Sequence, residues 1–230
     1  MVKSFLILIS LQIILFSHEQ IILVISDNLN SSKAKLRCFE DNEQVFDTID
    51  VNIGKNGLAL GIGKIPLKQK IIQILKYEGD KKAPIGIFKL THVFGYKKVH
   101  KLNMPYLYAD KDLICVDDSK HKNYNQIISM SSLKAGNKAK SFEYMRRDDL
   151  QYELGIVVEH NKAQIKGRGS CIFLHVQKSI DKPTAGCTSM PYKDLKKIIT
   201  WLNISKNPLL IQIPKSLLKE LLNLYPKLKF

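Results

Sequence analysis

The segment Gly169 to Met190 constrains this chain more than any other. It opens with Cys171-Ile172-Phe173-Leu174-His175-Val176 and carries Gly186-Cys187 further on, the cysteine twelve positions after the histidine. Successive side chains of a strand point to opposite faces. Ile172, Leu174 and Val176 therefore share one face, and Cys171, Phe173 and His175 share the other. The segment reads as a strand that ends in a histidine, a turn-forming loop, and a cysteine just ahead of a helix.

Three local features favour a reactive thiol at Cys187. Gly186 lets the backbone reach positive φ and lets a ligand approach closely. Pro191 and the Lys193-Asp194-Leu195 that follows it suit a first helical turn. The N-terminus of that helix would lower the thiol pKa from about 8.5. Backbone N–H groups at Gly186 and Thr188 would then stabilise an oxyanion. His175, on a rigid strand opposite the returning loop, suits a general base beside this nucleophile. The same residues also describe a buried thiol and a hydrogen-bonded histidine, and the local pattern alone leaves both readings open.

A resemblance weights the choice. His175 followed by Thr184-Ala185-Gly186-Cys187-Thr188-Ser189-Met190 resembles the His…[Ser/Thr]-x-Gly-Cys-x-x-Met signature of the L,D-transpeptidase catalytic domain, the YkuD family. Further matching segments are Val51-Asn52-Ile53-Gly54, Glu78-Gly79-Asp80, Lys82-Ala83-Pro84-Ile85-Gly86-Ile87-Phe88, Cys115-Val116-Asp117-Asp118, Met145-Arg146-Arg147-Asp148-Asp149 and Val157-Val158-Glu159-His160-Asn161. They run in one order from about residue 20 to the C-terminus, and they fit a poorly characterised branch of the family. The resemblance implies a β-sandwich fold and acyl transfer from a peptidoglycan stem peptide through a thioester on Cys187, with His175 as base. It also places Thr184, His160, Asn161 and the pair Tyr124-Asn125 near the substrate cleft. By residue type alone, His160 is equally a satisfied core or rim histidine. Two positions depart from the common pattern: Ala185 stands where many members have His, and Ser189 where many have Arg or Asn.

The rest of the chain reads as a mainly β domain, a sandwich or barrel of short strands with helices near the C-terminus. Strands are expected at Gln20 to Ser26, Ala34 to Phe39, Val45 to Ile53, Leu113 to Val116, Leu154 to His160 and Leu209 to Ile213. The segment from 91 to 110 mixes aromatics, Gly and Pro without a period and reads as an irregular loop, a candidate cap over the active site. Residues 141 to 150 read as a short helix or loop. Leu195, Ile198, Ile199 and Leu202 recur at helical spacing, and a last helix starts at Pro214.

Residues 1 to 18 have the make-up of a signal peptide or N-terminal anchor: Lys3, then an apolar run too short for a comfortable membrane span. Residues 19 to 230 then form the catalytic domain, exported to the periplasm or cell envelope. The net charge of +15 is spread over every segment. It suits an anionic polymer such as the cell wall, and no nucleic-acid motif accompanies it. Cys38, Cys115 and Cys171 read as buried small hydrophobes, because a catalytic Cys187 must stay free and leaves an odd number. His92, His100 and His121 do not fall at zinc spacings with Cys115, so neither metal nor cofactor is expected. Water as acceptor would make the protein an L,D-carboxypeptidase. A non-catalytic cell-wall-binding domain and a peptidase acting on protein are the other readings.

Overall fold

The computed structural model describes residues 19–63, 74–99, 101–133 and 138–229. The expected export segment, residues 1 to 18, and His100 lie outside the described residues. Strand accounts for 35% of the chain and helix for 13%, so the mainly β class holds.

The strands, in chain order, are β1 (Gln20–Ser26), β2 (Lys33–Glu40), β3 (Glu43–Gln44), β4 (Ile49–Asn52), β5 (Leu58–Leu60), β6 (Ala83–Gly95), β7 (Tyr106–Tyr108), β8 (Leu113–Cys115), β9 (Ile127–Ser129), β10 (Glu143–Tyr144), β11 (Leu154–Val158), β12 (Phe173–Val176), β13 (Thr188–Met190) and β14 (Leu209–Pro214). Among the described residues, two helices, α1 (Tyr192–Trp201) and α2 (Leu218–Leu224), lie toward the C-terminus.

The main sheet runs β1-β14-β6-β11-β12-β13-β4-β2, and β1 also pairs with β2. That last pairing closes the sheet into a barrel and leaves neither strand an open edge there. β3 extends from β2, while β5 and β7 pair with the long β6. A separate three-stranded sheet, β10-β8-β9, is built from the segment between β7 and β11.

Two apolar clusters sit on opposite faces of the β6-β11-β12 wall. Leu90, Ile156, Val158, Ile172 and Leu174 belong to the large core, which also takes Leu195, Ile198 and Ile199 of α1. Each such fully buried side chain stabilises the fold by about 1.5–3 kcal/mol. Phe94, Val157, Phe173 and Tyr152 face the other way, into a smaller cluster that includes Cys115, Cys171 and Cys187. The period-two alternation of the 171 to 176 run thus separates two cores.

Gly155 opposes Phe94 across β6 and His175 across β12. A Cβ there would stand 2.2 Å from Phe94 Cζ, so only glycine lets that ring lie across β11.

Several expectations need correction. Cys115 and Cys171 are joined in a disulfide; only Cys38 and Cys187 are free. With Cys187 free, one disulfide and one buried thiol satisfy the other three cysteines as well as three buried thiols do, and sequence cannot tell which residues a β-barrel brings within bonding range. Residues 91 to 95 are not a loop: they complete the 13-residue β6, and Tyr106 to Tyr108 pairs beside them. The strand expected from Val45 forms only over Ile49–Asn52. Of the stretch from 141 to 150, expected as helix or loop, residues 143 to 144 form the short strand β10 and the rest is turn and loop. The last helix begins at Leu218, after a 3-10 turn over Lys215–Leu217.

The disulfide closes a loop with a sequence separation of 56, which chain entropy rates at about 4 kcal/mol. Replacing both residues by serine (C115S with C171S) is expected to lower the unfolding free energy by about 2–5 kcal/mol, read from urea denaturation. An unchanged midpoint would contradict the tie between the small sheet and the barrel.

Candidate active site

Cys187 sits one residue before β13, and β13 pairs in parallel with β12, Leu174 opposite Thr188 and His175 opposite Ser189. Gly186 has φ +150°, and a Cβ there would stand 3.1 Å from the Lys82 carbonyl oxygen. The glycine therefore lets the chain turn tightly against residues 81 to 83 and swing the cysteine under β12. Thr184 fixes this turn: its hydroxyl donates to the Cys187 carbonyl at 2.6 Å and accepts from the Gly186 N–H at 3.1 Å. Its own carbonyl and N–H bond to Lys55 N and Ile53 O.

The sulfur is enclosed. Cys187 is 8% exposed and His175 4%. The Phe173 N–H donates to Sγ at 3.3 Å, and the thiol donates to the Cys171 carbonyl at 3.5 Å. Tyr152 belongs to the same buried cluster as the thiol. Burial, and then the neighbouring Glu143 carboxyl, push the thiol pKa up to about 12, against smaller opposing effects of the Phe173 N–H and the Lys76 ammonium. This corrects the expectation of a helix-lowered thiol. Strand β13 separates the cysteine from α1, which starts only at Tyr192, so the sulfur is not at a helix N-terminus.

His175 lies on the same face as Phe173, and its ring stands edge-on to Tyr152 with centroids 5.2 Å apart. Nδ1 is 2.8 Å from the Val176 carbonyl oxygen. A carbonyl only accepts, so Nδ1 carries the proton and Nε2 keeps the basic lone pair. Burial lowers the imidazole pKa to about 4, so the ring rests neutral near pH 7. The structure thus puts the thiol one residue before β13 and the imidazole on the paired strand β12, with the thiol proton turned to the Cys171 carbonyl.

The remaining cleft residues bond largely to one another. Asn125 donates to the carbonyls of His160 and Asn161 at 2.8 and 3.0 Å and accepts from the Cys171 N–H at 2.9 Å. Asn161 donates to the Ile165 and Gly169 carbonyls, both at 3.0 Å. His160 Nδ1 accepts from Ile62 N–H at 3.3 Å, and Nε2 faces the Arg168 carbonyl at 3.0 Å. The Tyr124 hydroxyl and the Ser170 hydroxyl both meet Glu78. This network anchors the loop from Glu159 to Ile172 that leads into β12, and so fixes where the histidine strand starts.

Sequence reading did not find Tyr152 and Glu143. Tyr152 donates to Glu143 Oε2 at 2.6 Å and is edge-on to Phe94, Phe173 and His175. Glu143 lies on β10, paired with the disulfide residue Cys115. A lone Glu and a lone Tyr nine positions apart carry no spacing signal; only the folded sheet joins them.

His175 and His160 are both held neutral by burial, each with its pKa lowered from 6.5 to about 4. The unfolded chain binds these protons first, so stability is full above pH 6.5 and falls as pH drops toward 4. Each group contributes a slope of up to about 1.4 kcal/mol per pH unit in that window. The raised carboxyl of Glu143 acts in the opposite sense and trims the net slope. Denaturant unfolding at pH 7.5 and pH 5 is expected to show a clear loss at pH 5, smaller in H160Q; equal stability at both would contradict the two neutral imidazoles.

The family model of the L,D-transpeptidase catalytic domain, YkuD, matches residues 21–211, a span that includes every residue described above for the site. No curated protein and no solved structure matches the chain. A match of that extent settles membership: the chain belongs to the YkuD family of L,D-transpeptidase catalytic domains.

Proposed function

We propose that this protein is an exported L,D-transpeptidase that uses Cys187 as nucleophile and His175 as base. The family acts on peptidoglycan stem peptides, and membership supports a role of that kind in general. The observation that supports the finer reading is a free thiol one residue before β13 and a neutral imidazole on the paired strand β12. His175 Nε2 takes the thiol proton. The thiolate attacks the carbonyl on the L-centre side of an L,D peptide bond, and the D-residue leaves as its amine with a proton from His175. A second stem amine then attacks the thioester and restores the thiol.

The backbone groups of Gly186 and Thr188 remain the proposed oxyanion donors. At Gly186 the N–H is bound to Thr184 in the resting state, so that hydroxyl must yield for the hole to form. Thr184, Tyr124, Asn125, His160 and Asn161 are assigned to the substrate side, with Asn125, His160 and Asn161 acting through the loop they anchor. Residues 1 to 18 serve as signal or anchor, and residues 19 to 230 as the catalytic domain. The Cys115–Cys171 disulfide supports an oxidising compartment, the periplasm or cell envelope.

A second reading, a silent cell-wall-binding domain, draws on the enclosure of the sulfur and its high pKa. Incubation with a carbapenem, a strained acyl donor, separates the two. The transpeptidase reading expects a one-carbapenem mass increase, absent in Cys187→Ala and formed roughly 10²–10⁴-fold more slowly in H175Q. It also expects altered cross-links when isolated sacculi are digested after treatment. No adduct and unchanged muropeptides would leave the binding domain.

A further inference from the structure

We propose that the cavity beside Met145-Arg146-Arg147-Asp148-Asp149 is a binding site for a peptide carboxylate, received by Arg146 and Lys111 between apolar walls of Tyr144 and Leu150. That assignment rests on the reading of the protein as one that acts on stem peptides. It gives the Arg-Arg-Asp-Asp motif a task that the acyl-transfer step leaves open.

The cavity holds about 440 Å³, within the size range of small-ligand sites, and opens between the loop after β10, the turn before β8 and the end of β6. Its walls carry the cations Lys111, Arg146 and Arg147 against the single carboxylate of Asp148. Arg147 is already committed: its Nε and Nη2 donate to the two carboxylate oxygens of Asp149 at 2.9 and 2.7 Å. Arg146 is fixed in place without such a partner. Its guanidinium lies over the Tyr96 ring at 4.7 Å, and Nη1 donates to the carbonyls of Tyr96 and Ala109 at 3.4 and 3.2 Å. The Nε–Nη2 edge, with which Arg147 grips Asp149, has no acceptor on Arg146 among the described residues. That edge is the fork that takes a carboxylate through two parallel hydrogen bonds.

The frame around this fork is rigid. The Tyr96 hydroxyl donates to the Arg147 carbonyl at 3.0 Å and accepts from the Arg147 N–H at 2.7 Å, which holds the ring under Arg146. Asp110 Oδ1 accepts from the N–H groups of Asp112 and Leu113, both at 3.0 Å, and so fixes the turn that sets Lys111 in the wall. Leu150 holds φ +58°, a left-handed backbone that a bulky side chain rarely adopts, and its side chain is exposed at the cavity. Such strain persists only where the surroundings impose it, and it concentrates at ligand sites. Here Asp149 imposes it, gripping Arg147 on one side and accepting the Gln151 N–H at 3.3 Å on the other. Tyr144, also exposed, supplies a second apolar surface for a peptide chain.

The cavity is also placed to serve the candidate active site. The Arg147 guanidinium lies over the Tyr152 ring at 5.2 Å, and that ring stands edge-on to His175 at 5.2 Å. The cavity wall is therefore one aromatic ring removed from the imidazole, a span of about three extended residues. The carboxylate it takes belongs to a residue that close to the reacting carbonyl. Asp148, at the same wall, repels a second negative charge and so limits the site to one.

Calorimetric titration of the full chain carrying Cys187→Ala, which cannot turn a peptide over, tests this. The two probes are a stem tetrapeptide with free carboxylates and the same peptide with every carboxylate amidated. The free form is expected to bind about tenfold more tightly, the size of a hydrogen-bonded ion pair. Adding R146Q is expected to abolish that preference while leaving the amidated peptide's affinity unchanged; a merely structural arginine would weaken both peptides alike. Adding D148N is expected to widen the preference, and raised salt to narrow it. Equal binding of the two peptides, binding of neither, or a preference that survives R146Q overturns the inference. Should R146Q fail to fold by circular dichroism, K111Q and D148N decide by the same measure. The carbapenem adduct on the protein with Cys187 intact is read separately. An adduct without carboxylate preference overturns this inference alone. Carboxylate preference lost in R146Q, in a protein that forms no adduct and leaves sacculi unchanged, overturns the acyl-transfer reading alone.

Discussion

The sulfur of Cys187 lies 3.3 Å from the Phe173 N–H, and the rest of the site is arranged around that contact. It fixes the cysteine against the backbone of the strand that carries His175. The contact exists because β12 and β13 run in parallel, and the returning chain is bent by Gly186 and pinned by Thr184. Parallel neighbours need a crossover connection. Here the crossover is a loop without a helix, so its ends must be fixed by specific bonds rather than by packing. Thr184 supplies them, bonding on one side to Ile53 and Lys55 and on the other to the cysteine itself.

Enclosure has a definite electrostatic consequence. Removing thiol and imidazole from water disfavours both charged forms, so the resting pair is neutral. In the proposed reaction a thiolate–imidazolium pair is created only at the moment of attack, and groups that stabilise the sulfur only when it is charged gain in value. Lys76, held by Asp80 beneath the Gly186 turn, is placed to do that. The cavities found near this face, one of about 240 Å³ beside Cys171 and one of about 440 Å³ beside Arg147, do not have Cys187 in their walls. A groove of about 880 Å³ between α1 and the Phe46 loop lies apart from the sulfur as well. Tyr152 and Met145 belong to the buried cluster that encloses Cys187.

The strand alternation at 171 to 176, the strand at 154 to 158 and the helical spacing from Leu195 were legible in the sequence because each depends on local periodicity. His175 and Cys187 could be singled out, since Gly186 and the strand-end histidine are local signals. The disulfide was not legible: its partners stand 56 residues apart, and their approach depends on the barrel and the small sheet meeting. The thiol environment was misjudged for a related reason. Pro191 does precede a helix, but three intervening residues form β13, a strand whose length is set by pairing with β12 and β4 rather than by its own propensity. Glu143 and Tyr152 were invisible because their meaning arises only where three separate segments converge.

The central claim is that His175 presents a neutral imidazole, proton on Nδ1 and lone pair on Nε2, to the sulfur of Cys187. Histidine ¹⁵N NMR of the full chain measures this directly. The account predicts an Nδ1–H tautomer at pH 7, titration near 4, and a change at Nε2 on Cys187→Ala. An Nε2–H tautomer, or a ring titrating near 6.5 and indifferent to loss of the thiol, would contradict it.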